Sequence, residues 1–402
     1  MGKPKILITV NSYLPGFKSG GPVQSISCLA DLLSKDYIVT VITNDRDTLS
    51  ESAYPNIRTN ARNPINGYDV IYVKPGIFNK CLAIYKWIIE IKPNVIYLNS
   101  FFNPWFTLFV LLISKTTLTQ KIGYKVLLAP RGEFSPGALN LKRKKKSIVL
   151  FIIRKLNLLE NVCFHFTNEQ ERKFFYKTVD WVERKSYFIA SNIKTMKLIP
   201  FEKLVDQFAK KRENSLKICF ISRIVPKKNL HYAIETVLMF NNLQQDITLN
   251  IYGPPEDKNY WDLCQNLIMK AAPNVKINYW GAVDNRDIWR VFTSNDIFYF
   301  PTNGENFGHV IIESLAFGCP VLISDQTPWE DLEQKGCGWI FSLNENARAF
   351  EVLKYAASLS SFSYLPYRNQ AFEYAEVYFS NENQQNFEKF LFGIQSLSKP
   401  AT

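Results

Sequence analysis

Residues 301–329 read PTNGENFGHVIIESLAFGCPVLISDQTPW, and the alternation inside this stretch decides the fold class. The apolar run Ile297-Phe298-Tyr299-Phe300 just before it fits a buried strand bounded by turn residues. Thr302 to Asn306 is a polar loop containing Gly304. From Phe307 to Phe317 the apolar residues fall at helical spacing, Gly318 stands where a helix-ending glycine is expected, and Pro320 discourages continuation. Val321-Leu322-Ile323 is the next strand. Two carboxylates ride on this strand–loop–helix–strand unit, Glu305 in the loop and Glu313 in the helix. Backbone N–H groups from Asn306 to His309 lie at the helix start, where they lack intrahelical acceptors and favour an anion. The combination suits a polyhydroxylated, phosphorylated ligand.

The same alternation extends in both directions. Apolar runs at Lys5–Val10, Ile38–Thr43, Val70–Val73, Val95–Leu98, Val126–Ala129 and Cys163–Phe166 alternate with helical patterns. A second series begins at Lys217–Ser222 and continues through Thr248–Tyr252 and Val275–Trp280. Regular strand–helix alternation predicts α/β architecture with two doubly wound parallel sheets, whose functional residues sit on strand-end loops. A chain of 402 residues is long enough for two such domains. The expected division is 1–198, completed by a C-terminal helix at 381–402, and 199–380.

Hydrophobic content of 47% and aromatic content of 14% are ample for two cores. No run is long and apolar enough to span a bilayer, since Phe101–Ile113 is broken by Asn103 and Pro104. Met1–Val10 reads as a strand rather than a signal peptide, and the seven cysteines form no CxxC pair, so reduced thiols and a cytoplasmic setting are expected. The charge is divided unevenly. Residues 1–200 hold 29 Lys and Arg against 13 Asp and Glu, a net +16, whereas residues 201–402 hold 19 against 23, a net −4. The first half therefore expects an anionic partner. Lys142, Arg143, Lys144, Lys145 and Lys146 precede the apolar segment Ser147–Ile153, a pattern that fits an anionic membrane surface. No nucleic-acid-binding motif accompanies the charge, and nucleic acid is not expected.

Within the first half, the pair Gly20-Gly21 at a strand-to-helix crossover lets backbone approach a ligand closely. The dinucleotide fingerprint GxGxxG is absent. Asp45 and Asp47 form a DxD triplet, a pattern too short to carry a metal assignment, and His165 in an apolar strand reads as a core residue. Arg131 and Glu133 follow the strand ending at Ala129, where open sheets bind ligands. In the second half, Arg223 and Lys228 share the first strand-end loop. An arginine fork and a lysine point charge together suit a diphosphate.

Taken in order, Arg223…Lys228, Glu305-Asn306-Phe307-Gly308…Glu313 and Gly318-Cys319-Pro320-Val321 resemble the retaining group-1 glycosyltransferases (family 4) of the GT-B fold. Tyr13-Leu14-Pro15-Gly16…Gly20-Gly21-Pro22, Ala129-Pro130-Arg131-Gly132 and Thr327-Pro328-Trp329 extend the resemblance over most of the chain. The resemblance implies two Rossmann-like domains facing a cleft and a nucleoside-diphosphate sugar as donor. Arg223 and Lys228 would neutralise the leaving diphosphate, Glu305 would meet the donor sugar and Glu313 the ribose. Phe307, Gly308, Gly20, Gly21 and Gly281 complete the donor-binding set. It implies no cofactor and no metal. The expected acceptor is a lipid-linked saccharide, in cell-surface polysaccharide or lipopolysaccharide synthesis on the inner face of the membrane. Many relatives carry a histidine after the strand that here ends Ala129-Pro130-Arg131-Gly132-Glu133, which leaves Arg131 or Glu133 for the acceptor or sugar contact.

Three other readings compete. A GT-B-fold nucleotide-sugar epimerase shares the donor chemistry but needs no lipid acceptor, and the basic first half, which speaks for a membrane-bound acceptor, speaks against it. A glycoside hydrolase needs its two carboxyls roughly 5–9.5 Å apart. On one helix an eight-residue separation gives about 12 Å. A non-catalytic membrane-surface binding protein leaves Arg223, Lys228 and both glutamates without a role.

Overall fold

The computed structural model describes residues 2–16, 21–47, 50–140, 143–182, 185–284 and 286–398. Two compact units emerge, one of residues 1–195 with 383–402 and one of residues 196–382. Each contains its own sheet.

The first sheet has eight strands: β1 (Lys5–Thr9), β2 (Ile38–Asn44), β3 (Arg62–Ile65), β4 (Tyr68–Val73), β5 (Val95–Asn99), β6 (Lys125–Ala129), β7 (Val162–Phe166) and β8 (Tyr187–Ile189). Their order is β3-β4-β2-β1-β5-β6-β7-β8, and every pairing is parallel except β3 with β4. The strands β5 and β7 are buried at every position. That is the signature of strands covered on both faces, and it is why they read as unbroken apolar runs. Since β1 lies between β2 and β5, the chain reverses direction across the sheet beside β1, and its carboxyl end opens at a topological switch point.

Both short edge strands of this sheet, β3 and β8, escaped the sequence reading. β3, Arg-Asn-Pro-Ile, alternates exposed and half-buried residues and contains Pro64, a residue that a sheet tolerates at its edge. The segment Phe101–Ile113 turns into a π-helical stretch, Pro104–Phe109, running into the helix Val110–Ile113. The Asn103 side chain caps it by accepting from the backbone N–H groups of Trp105 and Phe106. Phe101, Phe106, Val110 and Leu111 are fully buried there.

The helix Asn383–Ser398 packs within the first unit. Phe390 contacts the rings of Tyr97, His165 and Phe188 at 5.0–5.7 Å. The Asn383 side chain accepts from the Lys194 N–H at 3.0 Å. A Cβ at Gly393 would meet the Phe188 ring at 2.5 Å, so any larger residue there would have to displace that ring.

The second sheet is wholly parallel, with strands β9 (Ser215–Ile221), β10 (Asp246–Tyr252), β11 (Val275–Tyr279), β12 (Ile297–Phe300), β13 (Val321–Ser324) and β14 (Gly338–Phe341) in the order β11-β10-β9-β12-β13-β14. β9 and β12 are central neighbours, so the loops at their carboxyl ends lie side by side. The expectation of two parallel-sheet α/β domains therefore holds.

Candidate functional site

The site follows from that adjacency. The loop after β9 carries Arg223 and then a single 3₁₀ turn, Pro226–Lys228, closed by Asn229 in the left-handed conformation (φ 61°). The loop after β12 docks on it through three hydrogen bonds to carbonyl oxygens. The Asn303 N–H donates to Lys227 at 2.8 Å, the Asn303 side-chain amide to Pro226 at 3.1 Å, and the Thr302 hydroxyl to Lys227 at 3.3 Å. This staple brings Lys228 and Glu305 into a direct ion pair with both side chains mostly buried. The Lys228 ammonium also lies 5.2 Å from the centre of the Phe300 ring. Glu305 is held from the far side by its own N–H, which donates to the Gln326 carbonyl at 2.9 Å.

The helix reaches from His309 to Ala316, two residues shorter at its start than the apolar pattern suggested. Gly308 stands before it at φ 80°, a left-handed cap, and a Cβ there would press on the Ile311 side chain at 2.8 Å. Phe307 is buried, and its carbonyl accepts from the Trp329 indole at 2.5 Å. Phe307, His309, Trp329 and Tyr378 form one aromatic cluster behind the loop. Thr327-Pro328-Trp329 thus acts as a buttress for the Phe307-Gly308 backbone. Glu313 is 5% exposed on the helix, deeper than Glu305.

Arg223 sits differently from Lys228. Its guanidinium pairs with Glu256 at 3.0 Å and is the more exposed of the two cations. Glu256 follows Gly253-Pro254-Pro255, and no sequence pattern marked it as a partner. The turn it belongs to is locked to the Arg223 loop. The Ile224 N–H donates to the Pro254 carbonyl, and a Cβ on Gly253 would stand 1.7 Å from the Ser222 carbonyl oxygen. Gly281, at φ 74°, accepts from the Gly253 N–H at 2.7 Å and closes the same corner.

In the first unit, Gly21 opens the helix Gly21–Leu33, while Gly20 lies outside the described residues. Arg131 and Glu133 are both engaged by hydrogen bonds within the first unit. Arg131 and Gly132 are both left-handed (φ 56° and 73°). The guanidinium donates to Asn99 at 2.9 and 3.1 Å, to the Tyr97 hydroxyl at 2.8 Å and to Asn192. Glu133 accepts from the Ser100 hydroxyl and from the N–H groups of Phe101 and Phe102. Burial pushes its carboxyl pKa up against those hydrogen bonds. Glu171, which sequence reasoning passed over, holds the turn from below by accepting from the Gly132 and Thr167 N–H groups. His165 is a core residue as expected. It accepts from the Tyr97 hydroxyl through Nδ1 and donates through Nε2 to the Ala190 carbonyl, and burial drives its pKa down to about 3.

The basic run divides. Lys142 lies outside the described residues, Arg143, Lys144 and Lys145 are exposed at the start of the helix Arg143–Lys155, and Lys146 turns inward. Its ammonium donates to the Ala138 carbonyl at 2.7 Å and lies over the Phe102 ring. Asp45 is paired with Arg46 at 2.8 Å, and among the described residues no group of three or more potential ligands could hold a metal. No helix among them is long and apolar enough to cross a membrane.

Residues 202–360 match the family model of glycosyl transferases group 1. The chain is 27% identical over 125 residues to the capsular polysaccharide biosynthesis glycosyltransferase CapM of Staphylococcus aureus, a match covering 31% of this chain and 32% of that protein. It thus spans about a third of that relative's length. It is 25% identical over 279 residues to a 41.2 kDa protein of the cps region of Klebsiella pneumoniae, covering 68% and 72% of the two chains. Among solved structures it resembles HepE of Anabaena in complex with UDP and glucose, with a TM-score of 0.67, 16% identity and coverage of 97% and 99%. Sucrose-phosphate synthase of Thermosynechococcus elongatus gives a TM-score of 0.64 at 13% identity, covering 98% and 96%. The chain therefore has the GT-B fold, and its residues 202–360 match the glycosyl transferases group 1 domain.

Proposed function

We propose that this protein is a glycosyltransferase of family 4 that takes a sugar from a nucleoside-diphosphate sugar and passes it, with retention, to a lipid-linked saccharide in cell-surface polysaccharide or lipopolysaccharide synthesis. The observation that carries the reading is the Lys228–Glu305 pair, assembled from two neighbouring strand-end loops inside the region that matches the group 1 model. A cation and a carboxylate in contact before any ligand arrives are poised to separate around a phosphorylated sugar, Lys228 turning to the diphosphate and Glu305 to the sugar ring. Arg223 adds charge from the same loop, the backbone at Phe307 and Gly308 lies at the phosphate, and Glu313 reaches the ribose. Gly20, Gly21 and Gly281 complete the donor contacts. As the bond from the anomeric carbon to the phosphate oxygen breaks, its electron pair stays with the diphosphate, where fixed cations stabilise the growing charge. The acceptor hydroxyl forms the new bond and gives its proton to the departing phosphate. No metal is required in this scheme. HepE was solved with UDP and glucose, and CapM bears the name of capsular polysaccharide biosynthesis, which supports a nucleotide-sugar donor and a surface-polysaccharide product.

The helix Arg143–Lys155 supports a peripheral place on the inner membrane face. It buries Ile153 while exposing Ile148, Phe151 and Ile152, with exposed Leu156 just beyond its end and Arg143, Lys144 and Lys145 exposed at its start. Apolar side chains beside cations match a bilayer with anionic headgroups. Two experiments test the reading. Nucleotide sugars offered in turn, with a lipid extract as acceptor, should give release of nucleoside diphosphate from one donor, undiminished by EDTA. Strict dependence on a divalent metal would count against the scheme. Changing Arg143, Lys144 and Lys145 together to Gln should lower co-sedimentation with phosphatidylserine vesicles by ~10²-fold, at about 1 kcal/mol per charge. Unchanged binding would remove the membrane role of this helix.

A further inference from the structure

The carboxylate that pairs with Arg223 has no part in the donor scheme. Glu305 turns to the sugar ring in that scheme, whereas Glu256 has no such group to receive it. Nor is it free to withdraw, because its backbone is fixed on both sides. Pro255, just before it, bridges to Ile224, whose N–H donates to the Pro254 carbonyl at 2.9 Å. Asp257, just after it, donates its N–H to the Ile224 carbonyl at 3.4 Å. The Asp257 side chain accepts from the Tyr260 N–H at 3.0 Å and caps the helix Lys258–Ile268. The consecutive prolines 254 and 255 restrict the turn further. The Glu256 side chain is 21% exposed against 43% for Arg223, so the acid is the more enclosed member of the pair.

The contact uses one arm of the guanidinium. Arg223 Nη1 donates to Glu256 Oε2 at 3.0 Å, and Nε and Nη2 meet no acceptor among the described residues. A diphosphate can take the open side of the fork while the carboxylate keeps its own. A fixed negative charge then stands one guanidinium away from the bound phosphates. Charges that close lie within one Debye length, about 8 Å at physiological ionic strength, and repel.

That repulsion falls unequally on substrate and product. In a nucleoside-diphosphate sugar both phosphates are bridged or esterified, and each carries one charge. Loss of the sugar gives the terminal phosphate a second ionisable oxygen with a pKa of about 6, so at neutral pH the product carries nearly one more negative charge. Arg223 and Lys228 attract this product more strongly than the donor, and a tightly held product slows turnover. We infer that Glu256 is a specificity-determining residue that weakens the departing nucleoside diphosphate relative to the nucleotide sugar and so favours product release. The inference rests on the donor reading above and adds to it a means of telling donor from product.

Glu256→Gln keeps an acceptor oxygen for Nη1 and removes the charge. Calorimetric titration of the full chain with UDP and UDP-glucose, GDP and GDP-mannose, and ADP and ADP-glucose compares pairs that differ in the sugar ester alone. For the nucleotide that the wild type binds, the dissociation constant of the sugar nucleotide divided by that of the free diphosphate should rise about three- to tenfold in Glu256→Gln, the effect of one unit charge at a partly solvated site. The rise should shrink in about 0.5 M salt. Glu333→Gln removes the same charge from the Arg348 pair of the second unit and should keep the wild-type ratio. An unchanged or lower ratio in Glu256→Gln, or an equal rise in Glu333→Gln, overturns the inference while leaving the donor reading in place. Failure of the wild type to bind any of the three diphosphates would remove the donor reading, and this inference with it.

Discussion

Two strand-end loops of this chain carry an arginine followed by a second charged residue, and they have opposite fates. After β6, Arg131 and Glu133 turn to several internal partners: the guanidinium serves Tyr97, Asn99 and Asn192, and the carboxylate serves Ser100, Phe101 and Phe102. After β9, Lys228 pairs with one carboxylate among the described residues, Glu305, and Arg223 with one, Glu256. The two loops thus differ in the number of internal partners, and under the proposed function that number, not the residue type or its place at the end of a strand, separates a brace from a ligand-binding group. A carboxylate with three protein donors has little capacity left for a sugar. One held by a lone flexible ammonium can exchange that partner for a substrate.

The largest effect that could break this comparison lies at Lys228. Lys228→Ala is expected to lower kcat for nucleoside-diphosphate release by about 10²–10³-fold, the scale seen when one fixed stabiliser of transition-state charge is removed. Circular dichroism should remain unchanged. A near-normal rate would mean that Lys228 is a brace like Arg131. Arg223→Ala should follow with a smaller loss, because that side chain is more exposed and tied to Glu256.

Glu133→Ala is expected to act on stability instead. It strands the Phe101 and Phe102 N–H groups, and an unsatisfied buried donor costs about 1–3 kcal/mol. Urea unfolding should show a lower midpoint, with little change in kcat for the protein that remains folded. A normal midpoint joined to a raised acceptor KM would return Glu133 to the sugar-contact role that its position first suggested.

How much of this was readable from the chain follows from the range of each interaction. The strands β5 and β12 announce themselves because a parallel strand covered on both faces must be apolar throughout. Glu305, Glu313, Arg223 and Lys228 were legible because short loops and one helix fix their spacing. Their partners were not. Asn303 meets Lys227 from 76 positions along the chain, as 303 less 227, and Arg131 meets Asn192 from 61. Such pairings depend on strand order, which a linear pattern does not encode. The inward turn of Lys146 was hidden for the same reason, since Phe102 and Ala138 belong to other segments. β3 was missed because an edge strand with a proline and alternating exposure looks like a loop.

The smallest effect tests whether the Arg131 region is structural throughout. His165 is fully enclosed, and desolvation together with the nearby Arg131 charge lowers its pKa from an ordinary 6.5 to about 3. The folded state then binds fewer protons than the unfolded chain between those two values. Stability is fully present above pH 6.5 and falls as pH drops through that window, by at most ~1.4 kcal/mol per pH unit. Between pH 6.5 and 5.0 the wild type should lose about 1.5 kcal/mol that His165→Asn does not lose, measured as the difference between their urea unfolding free energies. The variant will start from a lower baseline, because the Tyr97 hydroxyl and the Ala190 carbonyl each lose a partner. The slope is therefore the informative quantity. Equal slopes in the two proteins would mean that His165 is solvated and titrates normally, and the network that braces Arg131 would be looser than its hydrogen bonds indicate.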